Sequence, residues 1–408
     1  MVPPTGQQHV SDPAMMGAGQ GALQGSAAGR GLSGLFISGI LMSLLGAVLP
    51  AWRYHIAPNY LLIGTYFLCQ NVGILAGAWL GMRLIRRKGI AFTLSLGAGV
   101  AAAALVLLAF STPPVPFWWR LMGLLLVGFG AGAQNTAAFH AMSAAYQLNK
   151  AAAINLGGAM FGMGCLVCAL FVSGTFFAYS VQSVLLLLAV APLLASIKHA
   201  RWKTGAGTPV EHPAWREVVR DFRSPAAILF TLLLFFQFGN EGALAGWLAL
   251  FLTQRLGVSP ETSLLLLALY WAALLVGRVG AQWLLPRVSH ARLLACAVVA
   301  PMFACLVLLL TNNLFGATVG VLLAGGGFAV ILPLVMEKIG DRFPYFHPGF
   351  FNGIFSLALT GGLLAPASVG YFAHYLGIGV LMGLPLIGSV MVLLLLLLIL
   401  LEDKLSAA

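Results

Sequence analysis

The sequence predicts an all-α membrane protein. It has twelve transmembrane helices in two pseudo-symmetric six-helix bundles, with both termini on the inner side. Three observations carry this. Hydrophobic residues make up 60% of the 408 residues and charged residues 8%, with mean hydropathy +0.97. A soluble domain of this size carries about a quarter charged residues. The apolar runs are continuous over about twenty residues rather than alternating over about ten, so they span as helices and not as barrel strands. With the N-terminus inside, only Arg53, Arg120 and Arg255 of the 21 Lys and Arg residues fall on the outer side, the asymmetry of positive inner loops.

Residues 1–30 are rich in Gly, Ala, Gln and Pro and nearly uncharged. They lack the basic and apolar regions of a signal peptide and read as a disordered tail. The first bundle, 31–198, holds runs at 31–51, 59–82, 89–111, 117–145, 151–176 and 180–198. The second run ends on the inner cluster Arg83, Arg86, Arg87 and Lys88. The fourth opens on Phe117-Trp118-Trp119 with Arg120, read as an aromatic interfacial belt with a snorkelling arginine. Residues 199–224 form a cytoplasmic central loop, in which WREVVRDF suits a short surface helix. The second bundle, 225–401, holds runs at 225–253, 261–285, 290–311, 314–336, 348–375 and 378–401, and 402–408 is a tail. The halves echo each other at an offset near 200: Gly77 of GAWLGMRLIRR against Gly277 of GRVGAQWLLPR, and Asn155 against Asn352. Paired bundles of this kind are a transporter plan.

Other classes are disfavoured. The net charge of +11 is spread over short loops, so it does not form a nucleic-acid patch. Cys69, Cys165, Cys168, Cys296 and Cys305 all lie in apolar runs. Cys165 and Cys168 have no second pair or nearby His to complete a metal site and read as small packing residues. No metal or cofactor is expected. No phosphate-loop, G-x-S-x-G or H-E-x-x-H stretch occurs, so neither ATP use nor an enzyme activity is expected.

Twelve helices, a long inner central loop and basic clusters after helices two and eight resemble the major facilitator superfamily. The closer likeness is to bacterial fucose and glucose/galactose permease-like members. The residues carrying it are FGNEGALAGWLALFL, WAALLVGRVGAQWLLPR and NGIFSLALTGGLLAPASVGYFAHYLG. The resemblance implies the major facilitator fold and transport by alternating access. The sequence departs from the family pattern in three places. Gly81 and Met82 stand where the loop after helix two usually has an acid, and Leu124 stands where helix four usually has an arginine. Helix five, GMGCLVCALFVSG, lacks the proline of drug antiporters.

Of ten acids, only Glu241 lies well inside a span. Such a carboxylate is costly in a bilayer and usually faces a wet interior. It can carry a proton, hold a hydroxylated substrate, or fasten a helix. Gln237 and Asn240 share its side of the helix, and Trp247 flanks Asn240. An aromatic beside amide and carboxylate groups suits a sugar. Gln134, Asn135, His140, Asn71, Asn155, Asn352 and Ser356 are further cavity candidates, though each taken singly is more often interhelical glue. Gly77, Arg83, Arg86, Arg87, Gly277, Arg278 and Arg287 read as gating and inner-loop residues. The expectation is a secondary transporter of a small polar solute such as a sugar. It would act as a monomer in the cell inner membrane, with protons as a candidate coupling partner. The alternatives are an exporter of amphipathic or drug-like compounds, or a sensor or scaffold on the same fold.

Overall fold

The computed structural model describes residues 13–143, 150–202, 224–284, 287–343 and 348–407. Among these are twelve helices and no strand. They are α1 Pro13–Ala51, α2 Tyr60–Lys88, α3 Ile90–Phe110, α4 Phe117–Ala141, α5 Lys150–Thr175 and α6 Val181–Ala200, then α7 Pro225–Leu256, α8 Pro260–Leu284, α9 His290–Leu310, α10 Leu314–Arg342, α11 Pro348–Leu376 and α12 Val380–Ala407. Eleven are long and apolar enough to cross a membrane.

The helices stop where local chemistry stops them. The side chains of Asn59, Ser180 and Asn313 accept hydrogen bonds from Leu62 N, Ser183 N and Gly316 N and so cap α2, α6 and α10. Gly257, at φ 64°, ends α7 in the left-handed region that favours glycine. The largest departure from expectation is α1, which begins at Pro13 and not at 31. Ala, Met, Gln and Leu in this stretch are good helix formers, and a proline at the first helical position is compatible with a start there. Residues 1–12 and the segment 203–223, with its WREVVRDF sequence, lie outside the described residues.

Both halves use the same helix pairings. α1 packs on α4 and α5, α2 on α4, and α3 on α4 and α6; α7 packs on α10 and α11, α8 on α10, and α9 on α10 and α12. Close approach depends on small residues. Gly77 lies against the Phe129 backbone of α4, and Gly277 lies against Ala329 and Gly326 of α10. Positions 277 and 329 follow 77 and 129 by 200 residues each. Both glycines therefore allow close helix packing within a half.

The halves meet along α2–α11, α5–α8 and α1–α7. Gly64 faces Gly370, and Gly46 faces Ala245 and Gly246. Asn71 Nδ2 donates to the Leu363 carbonyl, and Gln254 Nε2 donates to the His55 carbonyl. Ser173 Oγ donates to the Glu261 carbonyl at 3.1 Å. Most of these contacts lie toward one end of the bundle, opposite the start of α1 (the far end below). Arg120 sits at the same end and departs from expectation. It is buried, with Nε donating to Tyr66 Oη at 2.8 Å and Nη1 to the Ser111 and Val115 carbonyls at 2.9 and 2.8 Å. Three oxygens within reach hold it inward, so it does not snorkel to the surface.

Candidate functional site

The site is built from α7, α8 and α5. Glu241 lies near the middle of α7 and is partly accessible. Gln237, one turn earlier, is fully buried, and its Nε2 donates to Glu241 Oε1 at 2.8 Å. The same helical face therefore both positions the carboxylate and satisfies one of its oxygens. Gln237 Oε1 has no partner.

Arg278 of α8 supplies the opposite charge. It is buried, it lies within electrostatic reach of Glu241, and its guanidinium packs on Gly158 of α5. A side chain at position 158 would occupy the space of Nη1. Among the described residues Arg278 forms no ion pair, and its Nε and Nη1 have no partner. Tyr270, two turns earlier on α8, is fully buried with an unpartnered hydroxyl. Asn155 lies one turn from Gly158, and its buried Oδ1 is also unpartnered. The arrangement is one carboxylate, one guanidinium and several buried polar groups at the boundary of the two halves. Coulombic forces are strong at such a place because water screens them poorly.

The other expected residues go elsewhere. Asn240 turns to α12, where Nδ2 donates to Ser389 Oγ at 3.3 Å and the amide covers Gly388. Trp247 is fully buried, donates from Nε1 to the Pro366 carbonyl at 2.8 Å, and stacks on Phe67 of α2 with centroids 5.6 Å apart. Gln134 Nε2 donates to the Leu94 carbonyl at 2.6 Å, joining α4 to α3. Asn135 Nδ2 reaches Met42 Sδ at 3.6 Å, and its Oδ1 is buried without a partner. His140 Nδ1 donates to the carbonyl of Thr136 at 2.8 Å. Asn71 joins α2 to α11, as described. The side chains of Asn352 and Ser356 lie outside the described residues.

Arg83, Arg86, Arg87 and Arg287 are exposed. Arg83 lies 3.6 Å over Trp79, and Arg287 lies 3.8 Å over Trp283. These matched cation–π stacks lie near the ends of α2 and α8. Arg278 does not belong with them. It lies six residues before the end of α8, about 9 Å along the axis. That depth was the available signal for its role. Nothing in the sequence distinguished Tyr270 from a packing aromatic.

Comparisons with known proteins agree with the fold. The profile of the Major Facilitator Superfamily matches residues 31–366. An uncharacterized MFS-type transporter of Yersinia pestis is 23% identical over 357 residues, covering 85% of this chain and 89% of its own. A crystal structure of the E. coli fucose:proton symporter FucP superposes with a TM-score of 0.61 at 15% identity, covering 90% of this chain and 97% of that one. A second FucP structure, in the outward conformation, gives 0.59 at 16% identity with the same coverage. At these identities the structural likeness speaks for the fold.

Proposed function

We propose, on the premise that the chain belongs to the Major Facilitator Superfamily and is a multi-pass membrane transporter rather than an enzyme, that it carries a small hydroxylated solute across the cell inner membrane together with protons. The observation that carries this reading is Glu241. It is the one acid deep in a span, it is held by Gln237, and it lies within electrostatic reach of Arg278, which packs on the other half. A carboxylate so placed can bind a proton without breaking a direct ion pair. The fucose:proton symporter named among the structural neighbours supports the same solute class.

Transport proceeds by rocking of the two six-helix halves about this site. With the termini inside, the far end, where the halves meet, is the outer side. The protein acts as a monomer.

The test is uptake into proteoliposomes under an imposed pH gradient, for wild type and Glu241→Gln. The wild type accumulates its solute. The variant loses accumulation but still exchanges labelled for unlabelled solute. Equal accumulation by both would remove Glu241 from coupling.

A further inference from the structure

We propose that the transported solute bears a carboxylate, and that Arg278 is the residue that receives it. This rests on the proton-coupled reading above and adds the charge of the solute.

The first argument compares two buried arginines. Arg120 and Arg278 are 6% and 7% exposed. The Arg120 guanidinium donates to three protein oxygens. Arg278 leaves Nε and Nη1 without any. Buried donors, and charged ones above all, are costly when unpaired. Glu241 does not meet this need, since it attracts Arg278 from beyond bonding distance while Gln237 holds its Oε1. The Tyr270 hydroxyl, two turns earlier on the same helix, is a second buried donor without a partner. A buried guanidinium with unpaired donors is a receptor for an oxyanion.

The second argument is charge balance. The empty carrier with Glu241 ionised has its two charges, one of each sign, in balance. Binding one proton to the Glu241 carboxylate leaves Arg278 uncompensated. A neutral sugar would leave the loaded site at +1 in a weakly screened interior. A solute carboxylate restores neutrality, so proton and carboxylate enter as a pair. Both the empty and the loaded carrier then cross without net charge. The hydroxylated solute proposed above and this charge together point to a hydroxylated carboxylate.

The experiment uses the full chain in proteoliposomes, with gluconate and galacturonate set beside glucose and galactose. An inward-directed proton gradient and a potassium diffusion potential are imposed separately. The expected result is accumulation of at least one acid and not of its neutral counterpart, driven by the proton gradient and unaffected by the potential. Arg278→Gln should lower its uptake about tenfold or more, the weight of a charge-assisted hydrogen bond, with Arg278→Lys retaining part. Thermal stabilisation of detergent-solubilised wild type by the same acid checks binding independently of the variants.

Several results overturn the proposal. Uptake of the neutral sugars under the proton gradient, with the acids neither carried nor competing, removes the carboxylate and leaves the proton-coupled reading standing. Acid uptake driven without protons, and unchanged by Glu241→Gln, removes that reading instead. Acid uptake unchanged in Arg278→Gln removes Arg278 as the receptor. If no compound in the panel is carried or stabilises the protein, the hydroxylated carboxylate falls.

Discussion

The contact between Gly64 and Gly370 should set how tightly the far end closes. Here α2 and α11 come from different halves and touch backbone to backbone. A Cβ placed on Gly370 would lie 2.6 Å from Gly64 N and 2.7 Å from the Tyr60 carbonyl oxygen, and one on Gly64 would lie 2.9 Å from the Ala367 oxygen. Neither partner is a flexible side chain, so the helices themselves must part. Overpacking of this kind costs about 1–3 kcal/mol. The cost falls only on the state in which the two glycines meet. Gly370→Val should therefore shift the equilibrium toward the far-end-open state by about 5- to 150-fold. Gly64→Ala should shift it less. Position 67 reports the change, because Phe67 is 5% exposed and stacks on Trp247 across the same seam. With the five native cysteines replaced and Cys introduced at 67, the reaction rate with a membrane-impermeant thiol reagent is measured. Gly370→Val should speed labelling about tenfold, a difference of about 1.4 kcal/mol. An unchanged rate in a protein that melts normally would show that this seam does not gate the far end.

Two further substitutions separate packing from function. Arg120→Lys keeps the charge but cannot reproduce the Nε bond to Tyr66 together with both carbonyl contacts. It should destabilise the detergent-solubilised protein by about 1.5–3 kcal/mol, seen as a lowered Tm, whereas a snorkelling arginine would give within about 0.5 kcal/mol of no change. Asn240→Leu removes the bond to Ser389 and should lower stability by about 0.6 kcal/mol while leaving the transport KM unchanged. A tenfold rise in KM would return Asn240 to the substrate site.

Most of the fold was legible because the bilayer leaves the chain few choices. Helical spans are forced by the need to satisfy backbone polar groups internally, and continuous apolar runs mark them directly. Eleven of the twelve helices begin within about two residues of the apolar runs, because caps such as Asn59 and Ser180 are local chemistry. α1 was misread at its start for the opposite reason. Low hydropathy in 13–30 argues against a span but says nothing against a helix. The ends of α2 and α10 ran past the apolar limit likewise, since Arg, Lys and Glu prolong helices as readily as they leave lipid.

The site was legible only where chemistry made a residue expensive. Glu241 stood out because an acid at that depth has few alternatives, and Gln237 followed from helical spacing. The amides did not sort themselves, because glue and ligand use the same side chain. Gln134 and Asn240 turned to neighbouring helices, and only the tertiary arrangement says which way an amide points. Arg278 was hidden by its company. It lies nine residues before Arg287, which follows the end of α8 and stacks on Trp283, while Arg278 packs onto Gly158. The deciding residue is thus a glycine on another helix in the other half. A bare position at 158 makes room for a guanidinium across from Glu241, and no pattern within α8 records that room. Substituting Gly158 should therefore disturb the charge arrangement while leaving the sequence signature of α8 intact.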